Sequence, residues 1–283
     1  MADDYTDLEN THLVPTYQKF PVTIVKGLGA KVWDDKGREY IDCVAGYGAA
    51  LVGHCNPRVV KAIKEQSERL LACHGSYYND VRAKYLEKLV RVLPKGLTRI
   101  YLCNSGAEAV EAAIKMVWKA TGKRKIISMM RGYHGKTLGA LSLTWDQKYR
   151  ETFEPLPDFV KFVPYGNIDK LKEAMSEDVA AVIVEPIQGE SGVIIPPEGF
   201  LRQVREECDR KGVLLIVDEV QTGFGRTGKL WACEHWGVEP DVMCMAKGIA
   251  GGLPMGATAA REDIATKLKI GEHTTTFGGN PLV

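Results

Sequence analysis

One lysine stands where lysines seldom do. Lys247 closes the apolar run Val242-Met-Cys-Met-Ala246, and glycines follow at once at 248, 251 and 252. An amine set between a buried run and a tight loop is partly stripped of water, which weakens its hold on a proton. Such a lysine is a candidate for Schiff-base formation with a carbonyl compound. A second apolar run, Val213-Leu-Leu-Ile-Val217, ends in Asp218-Glu219. A lysine at one end and a carboxylate at the other would hold a carbonyl cofactor, and pyridoxal phosphate is the candidate with that chemistry.

These residues need a frame. Five short runs, ending near Cys103, Met130, Val184, Val217 and Ala246, are apolar throughout rather than alternating. That pattern fits strands buried on both faces. Between the runs lie segments of helical periodicity. Ala109, Val110, Ala113, Ile114, Val117 and Trp118 form one apolar stripe, and further helices are expected over about 58–71 and 198–211. Alternating strands and helices predict an α/β fold with a mostly parallel sheet flanked by helices. Residues 1–20 read as an irregular arm, and 22–43 as short strands with a hairpin turn at Asp35-Lys36-Gly37. The expected division is an arm with short strands over 1–50 and a large cofactor-binding domain over 51–283.

In such sheets ligands collect at the carboxyl ends of the strands. After Cys103 comes Asn104-Ser-Gly-Ala-Glu108. Ser105, Gly106 and Ala107 could open a helix and donate N–H groups to a phosphate. The same residues also read as an ordinary cap, with Glu108 in the first turn. Tyr133 and His134, in a glycine-bounded loop with Lys136, either cover a flat ring or fold onto the core. Glu185 and Glu190, in Glu185-Pro-Ile-Gln-Gly-Glu190, either face a pocket or serve a turn. Asp218, if buried, needs a cationic partner, which a pyridinium N–H would supply. Gln221 is placed to reach the ring's phenolic oxygen.

Other classes lack residues. The net charge of +1 on 283 residues provides no global field for nucleic acid or membrane. The seven cysteines are scattered, with no CxxC pair, so neither a disulfide framework nor a metal site is expected. There is no GxxxxGK[ST], and no GxGxxG follows a strand. An acidic N-terminus and no long apolar run predict a cytoplasmic protein.

Several motifs together resemble the class III aminotransferases, fold-type-I pyridoxal-phosphate enzymes. They are Asn104-Ser-Gly-Ala-Glu-Ala-Val-Glu-Ala-Ala, Tyr133-His-Gly-Lys-Thr, Val184-Glu-Pro-Ile-Gln-Gly-Glu-Ser-Gly, Asp218-Glu-Val-Gln-Thr-Gly-Phe-Gly-Arg-Thr-Gly and Thr276-Phe-Gly-Gly-Asn-Pro. The stretch Leu143-Thr-Trp-Asp-Gln-Lys-Tyr-Arg-Glu-Thr-Phe-Glu-Pro-Leu looks closest to archaeal enzymes acting on acetylornithine or on lysine attached to an amino-group carrier protein.

The resemblance implies roles. Lys247 would carry the internal aldimine, Asp218 would keep the pyridine nitrogen protonated, and Gln221 would contact the phenolic oxygen. Tyr133 would stack on the ring, with His134 and Glu185 beside the cofactor. Ser105, Gly106 and Ala107 would bind its phosphate. Thr276 would reach the cofactor of a neighbouring subunit, implying a homodimer. Tyr47, Lys136 and Glu190 would line the substrate pocket, Glu190 as a gate for a carboxylate-binding arginine. The implied reaction moves the terminal amino group of an ornithine, acetylornithine or lysine-type donor to 2-oxoglutarate by ping-pong chemistry. A cofactor-binding fragment without turnover, a 4-aminobutyrate-type aminotransferase, a racemase or an aminomutase are the alternatives. Two departures stand out. Lys136 replaces the usual arginine and lacks its bidentate fork. The chain also stops in mid-motif at Val283, so the C-terminal small domain is expected to be absent.

Overall fold

In the computed structural model, which describes residues 5–283, all five apolar runs are strands of one sheet. A separate antiparallel sheet holds β1 (Ile24–Leu28), β2 (Lys31–Asp34) and β3 (Glu39–Ile41). The turn at Asp35-Lys36-Gly37 joins β2 to β3 as a hairpin, with Lys31 opposite Ile41. The main sheet comprises β4 (Leu97–Cys103), β5 (Lys125–Met129), β6 (Val160–Val163), β7 (Val179–Val184), β8 (Leu214–Asp218), β9 (Val242–Met245) and β10 (Gly256–Arg261). Their spatial order is β4-β10-β9-β8-β7-β5-β6. β10 runs antiparallel to both its neighbours, and every other pairing is parallel. The carboxyl ends of six strands and the start of β10 therefore share one edge.

The sheet is covered on both faces, which is why its strands are apolar without alternation. Val182, Val184, Leu215, Val217, Met243 and Met245 point into one core. Ala181, Ile183, Ile216, Val242 and Cys244 point into the other. The helix Gly106–Thr121 supplies Ala109, Val110, Ala113, Ile114 and Val117 to the second core. The helix Phe200–Lys211 buries Phe200, Val204 and Cys208 in the first. Each side chain of this size, once buried, contributes about 1.5–3 kcal/mol.

Some elements differ from expectation. Residues Tyr5–His12 form a helix rather than an irregular arm. None of its side chains is buried, so it left no periodic signal. The helix expected over 58–71 spans Pro57–Ser67, and the apolar pair Leu70-Leu71 beyond it is exposed. β6 and β10 were not expected. β10 is Gly-Ala-Thr-Ala-Ala-Arg, small residues of weak strand preference. Close packing of β10 against Cys103 and the helix Gly106–Thr121 selects them, and Thr258 Oγ1 donates to Ala109 O at 2.7 Å.

The opposite edge of the sheet carries a structural knot. Asp241, buried just before β9, accepts from Leu215 N–H (2.7 Å), Arg205 Nη1 (2.9 Å) and Arg261 Nη1 (2.7 Å). Asp241→Ala would leave the mostly buried Arg205 without its buried partner. The expected loss is about 3–5 kcal/mol. A fall in the urea midpoint is the measured signature.

Candidate active site

A cavity of about 950 Å³ opens at the shared strand edge. Its lining includes Tyr47, Ser105, Gly106, Ala107, Tyr133, His134, Lys136, Glu185, Glu190, Asp218, Gln221 and Lys247. Of the residues singled out from sequence, Thr276 alone does not line it. That residue is exposed, on the loop before Gly278.

Asp218 ends β8 and Lys247 follows β9, so adjacent parallel strands deliver both. Lys247 has φ +50°, in the left-handed region that non-glycine residues rarely occupy. Holding it there costs of order 1–3 kcal/mol, which the flanking strand and glycine loop must offset. Its amine donates to Gln221 Oε1. Burial lowers its pKa, partly countered by the charges of Asp218, Glu185 and Glu190.

Asp218 is 3% exposed. Its Oδ2 lies 2.7 Å from His134 Nδ1, and its Oδ1 accepts from Val220 N–H at 3.0 Å. His134 is thus a hydrogen-bond partner for this aspartate within the protein itself. Burial depresses the pKa of His134, but the hydrogen bond and charge of Asp218 more than reverse this and raise it. His134 Nε2 is buried with no hydrogen-bond partner among the described residues. His134 therefore stands behind Asp218, a contact that the loop sequence Tyr133-His-Gly did not foretell.

At the start of the helix Gly106–Thr121 the cap is formed. Ser105 Oγ accepts from Glu108 N–H at 3.2 Å, and the Glu108 carboxylate accepts from Asn104 N–H at 2.8 Å. This resembles a capping box, with the reciprocal bond made to the residue before the cap. Ser105 is thereby committed to the helix. The N–H groups of Gly106 and Ala107 belong to the first turn, which has no intrahelical acceptors for them. The loop above lies close because it is glycine: a Cβ at Gly135, where φ is +131°, would sit 2.8 Å from Ala107 Cβ.

Tyr133 is half-buried, and its ring meets Tyr149 edge-on at 5.6 Å between centroids. Glu185 is buried and accepts from Tyr133 N–H at 2.8 Å and Gly189 N–H at 3.4 Å. It shapes the loop that carries Tyr133. Desolvation, with the nearby charge of Asp218 adding to it, pushes its pKa up to about 7 from 4.5. Tyr47, Lys136 and Glu190 are exposed at the mouth. Tyr149 was not singled out from sequence. It sits in a four-residue helix, Gln147–Arg150, that gives no periodic signal.

The raised Glu185 pKa has a consequence for stability. Between pH 4.5 and about 7 the folded chain binds more protons here than the unfolded chain. Stability is therefore lost as pH rises through that window. Glu185→Gln keeps an oxygen for Tyr133 N–H and removes the buried charge. The variant should be more stable than wild type above pH 7, by a few kcal/mol at roughly 1.4 kcal/mol per pKa unit. That advantage should vanish below pH 4.5. Urea denaturation of both proteins at pH 8 and pH 4 checks it, and equal stabilities at pH 8 would count against it.

With this geometry in place, the comparisons with known proteins are decisive. Residues 13–283 match the family model described as Aminotransferase class-III. The chain belongs to the class-III aminotransferases. It is 54% identical over 279 residues to an acetylornithine aminotransferase of Methanopyrus kandleri, covering 99% of this chain and 72% of that one. It is 53% identical over 268 residues to a [LysW]-aminoadipate semialdehyde transaminase of Deinococcus radiodurans, covering 94% and 62%. Among solved structures, an ornithine aminotransferase of Toxoplasma gondii superposes with TM-score 0.94 at 38% identity, covering 100% of this chain and 68% of that one. The class-III aminotransferases use pyridoxal phosphate, the cofactor expected from Lys247 and Asp218. This aminotransferase chain thus spans about two thirds of the length of the proteins it matches. Among its described residues, no helix is long and apolar enough to cross a membrane, and no cluster of potential metal ligands occurs.

Proposed function

We propose that this aminotransferase moves the terminal amino group of an ornithine-, acetylornithine- or lysine-type donor to 2-oxoglutarate. The donor would be free or attached to an amino-group carrier protein. The names of the Methanopyrus and Deinococcus relatives support that range of donors. The single observation that carries the reading is that two adjacent strands end with Lys247 and Asp218 lining one cavity.

The donor set fits pyridoxal phosphate. The free first-turn N–H groups of Gly106 and Ala107 suit a phosphate, helped by the helix dipole. Asp218 is fixed by His134 and Val220, yet a carboxylate has about four lone-pair sites, so acceptor capacity remains for a pyridinium N–H. Gln221 and Tyr133 stand beside the space for the ring. When bound, the cofactor supplies a carbonyl for the donor nitrogen and a protonated ring that takes up electrons.

The chain's own groups do the rest. Lys247 Nζ, its proton affinity lowered by burial, takes the proton from the donor carbon that bears nitrogen. Asp218 holds positive charge on the ring nitrogen, and His134 holds Asp218. Lys136 offers a point charge, without a fork, to a substrate carboxylate. Thr276 lies outside the cavity of its own chain, and its role is proposed to be toward the phosphate of a second copy in a homodimer.

The experiment is spectral. The purified chain is mixed with pyridoxal phosphate, then with acetylornithine, ornithine or 4-aminobutyrate, then with 2-oxoglutarate. The expected result is a bound-cofactor absorbance that one of the first two amines bleaches and 2-oxoglutarate restores. A cofactor spectrum that no amine alters would overturn turnover of free ornithine-type donors. Bleaching by 4-aminobutyrate alone would overturn the choice of donor.

A further inference from the structure

One wall of the cavity is held from the small antiparallel sheet. Tyr47 lines the cavity from a loop in which Ala45, Gly46, Tyr47 and Gly48 all have φ between +50° and +92°. Ala45 and Tyr47 carry a Cβ, so the loop keeps this shape only if its surroundings impose it. Asp42 is the group that does so. Its Oδ1 accepts from Val44 N–H and Ala45 N–H, each at 2.9 Å. Its Oδ2 lies 2.6 Å from His54 Nε2. An ionised carboxylate only accepts, which assigns the shared proton to Nε2.

Both partners are anchored to the small sheet by their backbones. Asp42 N–H donates to Ala30 O at 2.8 Å. His54 N–H donates to Gly29 O at 2.8 Å and accepts in return from Gly29 N–H at 2.9 Å through its carbonyl. His54 packs so closely on β1 that a Cβ at Gly27 would sit 2.8 Å from His54 Cβ. The residue is thus a fixed post from which the ring reaches Asp42. The bond from His54, followed by that from Ala45 N–H, lowers the Asp42 pKa. The loop also closes on the residue that meets Lys247. A Cβ at Gly48 would lie 3.0 Å from Gln221 Nε2, and Gln221 Oε1 accepts from Lys247 Nζ.

We propose that Asp42 and His54 are a positioning pair for the donor side of the cavity. His54 orients the Asp42 carboxylate, the carboxylate fixes the left-handed loop, and the loop sets Tyr47 against the bound donor. The small sheet thereby acts on the site without entering it. This rests on the donor class proposed above. His54→Ala keeps the backbone bonds to Gly29 and the Cβ that packs on Gly27, and removes only the ring.

Hydrogen exchange of the full chain reads the loop directly. In Asp42→Ala and His54→Ala, amides over 43–50 should exchange roughly tenfold faster, as for the loss of a hydrogen bond to a charged group. Amides over 26–31 should keep their wild-type rates. His54→Gln should restore slow exchange over 43–50, because its Nε2–H can reach the same carboxylate oxygen. Unchanged exchange over 43–50 in His54→Ala, equal quickening over 26–31, or no rescue by glutamine would each overturn the proposal. Kinetics supply the second readout, with pyridoxal phosphate and 2-oxoglutarate present. In His54→Ala the KM for acetylornithine or ornithine should rise roughly tenfold, with kcat within about threefold of wild type. In a Tyr47→Ala background the same change should add nothing. Additive effects would overturn the route through Tyr47. Wild type turning over neither donor would sink the donor class instead, and exchange over 43–50 then decides the pair alone.

Discussion

Lys247→Ala is expected to reduce amino transfer by roughly ten-thousandfold, the upper end of what a positioned proton-transfer group provides. The loss has two physical sources. The amine that would join the cofactor is gone, and so is the base that would move the donor's proton. Added methylamine should restore part of the activity, because a small amine can enter the space the side chain leaves. Lys247→Arg should not restore it, since a guanidinium stays protonated at any working pH. In the cofactor-free wild type, the rate at which Lys247 captures pyridoxal phosphate should follow its lowered pKa. Capture quickens as pH climbs through that value, because the free amine is the nucleophile. Stability carries the same sign. Between the lowered folded pKa and 10.5 the unfolded chain binds the extra proton, so stability rises with pH there. Lys247→Ala should flatten that rise and leave the left-handed strain in place, because alanine keeps the Cβ. Stopped-flow rates and urea midpoints across pH 6–10 measure both, and retained amine-driven turnover in Lys247→Ala would end the assignment.

What could be read from sequence, and what could not, follows from distance along the chain. Lys247 and Asp218 were legible because each is a charge abutting a fully apolar run, a local contradiction that only a strand end resolves. The strand-end edge was legible for the same reason, since five runs without alternation imply a sheet covered on both sides. Contacts between distant segments left no such mark. His134 meets Asp218 across 84 positions, and Tyr149 meets Glu190 across 41. Neither residue looks unusual beside its own neighbours. β10 escaped notice because alanine and glycine have weak strand preference. Its smallness is set by a tertiary demand: a Cβ at Gly256 would lie 2.3 Å from Ser105 O. Ser105 shows the opposite case. The pentapeptide offered cap and cup alike, and the cap that forms leaves the first-turn Gly106 and Ala107 N–H groups without an intrahelical acceptor.

Asp218 is where two demands on one carboxylate can be separated. Asp218→Asn keeps the size and an oxygen that His134 Nδ1–H can reach, but an amide cannot hold a positive charge on a neighbouring ring nitrogen. Turnover should fall by about a hundred- to a thousandfold, as when one oriented electrostatic group is removed from a buried site. Cofactor binding through the helix N-terminus should persist. Asp218→Ala should do more. It would leave the buried His134 with neither its hydrogen-bond acceptor nor its counter-charge, while Nε2 already lacks a partner. The expected cost is about 3–5 kcal/mol of stability, as for any buried pair broken on one side. The two variants also differ in pH response. His134, with its pKa raised by Asp218, contributes stability that is complete below the unfolded histidine value of 6.5 and is lost as pH rises through the folded value. In both variants that falling segment should shrink, since the charge that raises the histidine is absent. Equilibrium denaturation at pH 5.5 and pH 8, set against single-turnover rates, distinguishes the roles. A stable, pH-insensitive Asp218→Ala would show that His134 draws its partner from elsewhere. An active Asp218→Asn would show that the ring nitrogen needs no charge from this chain.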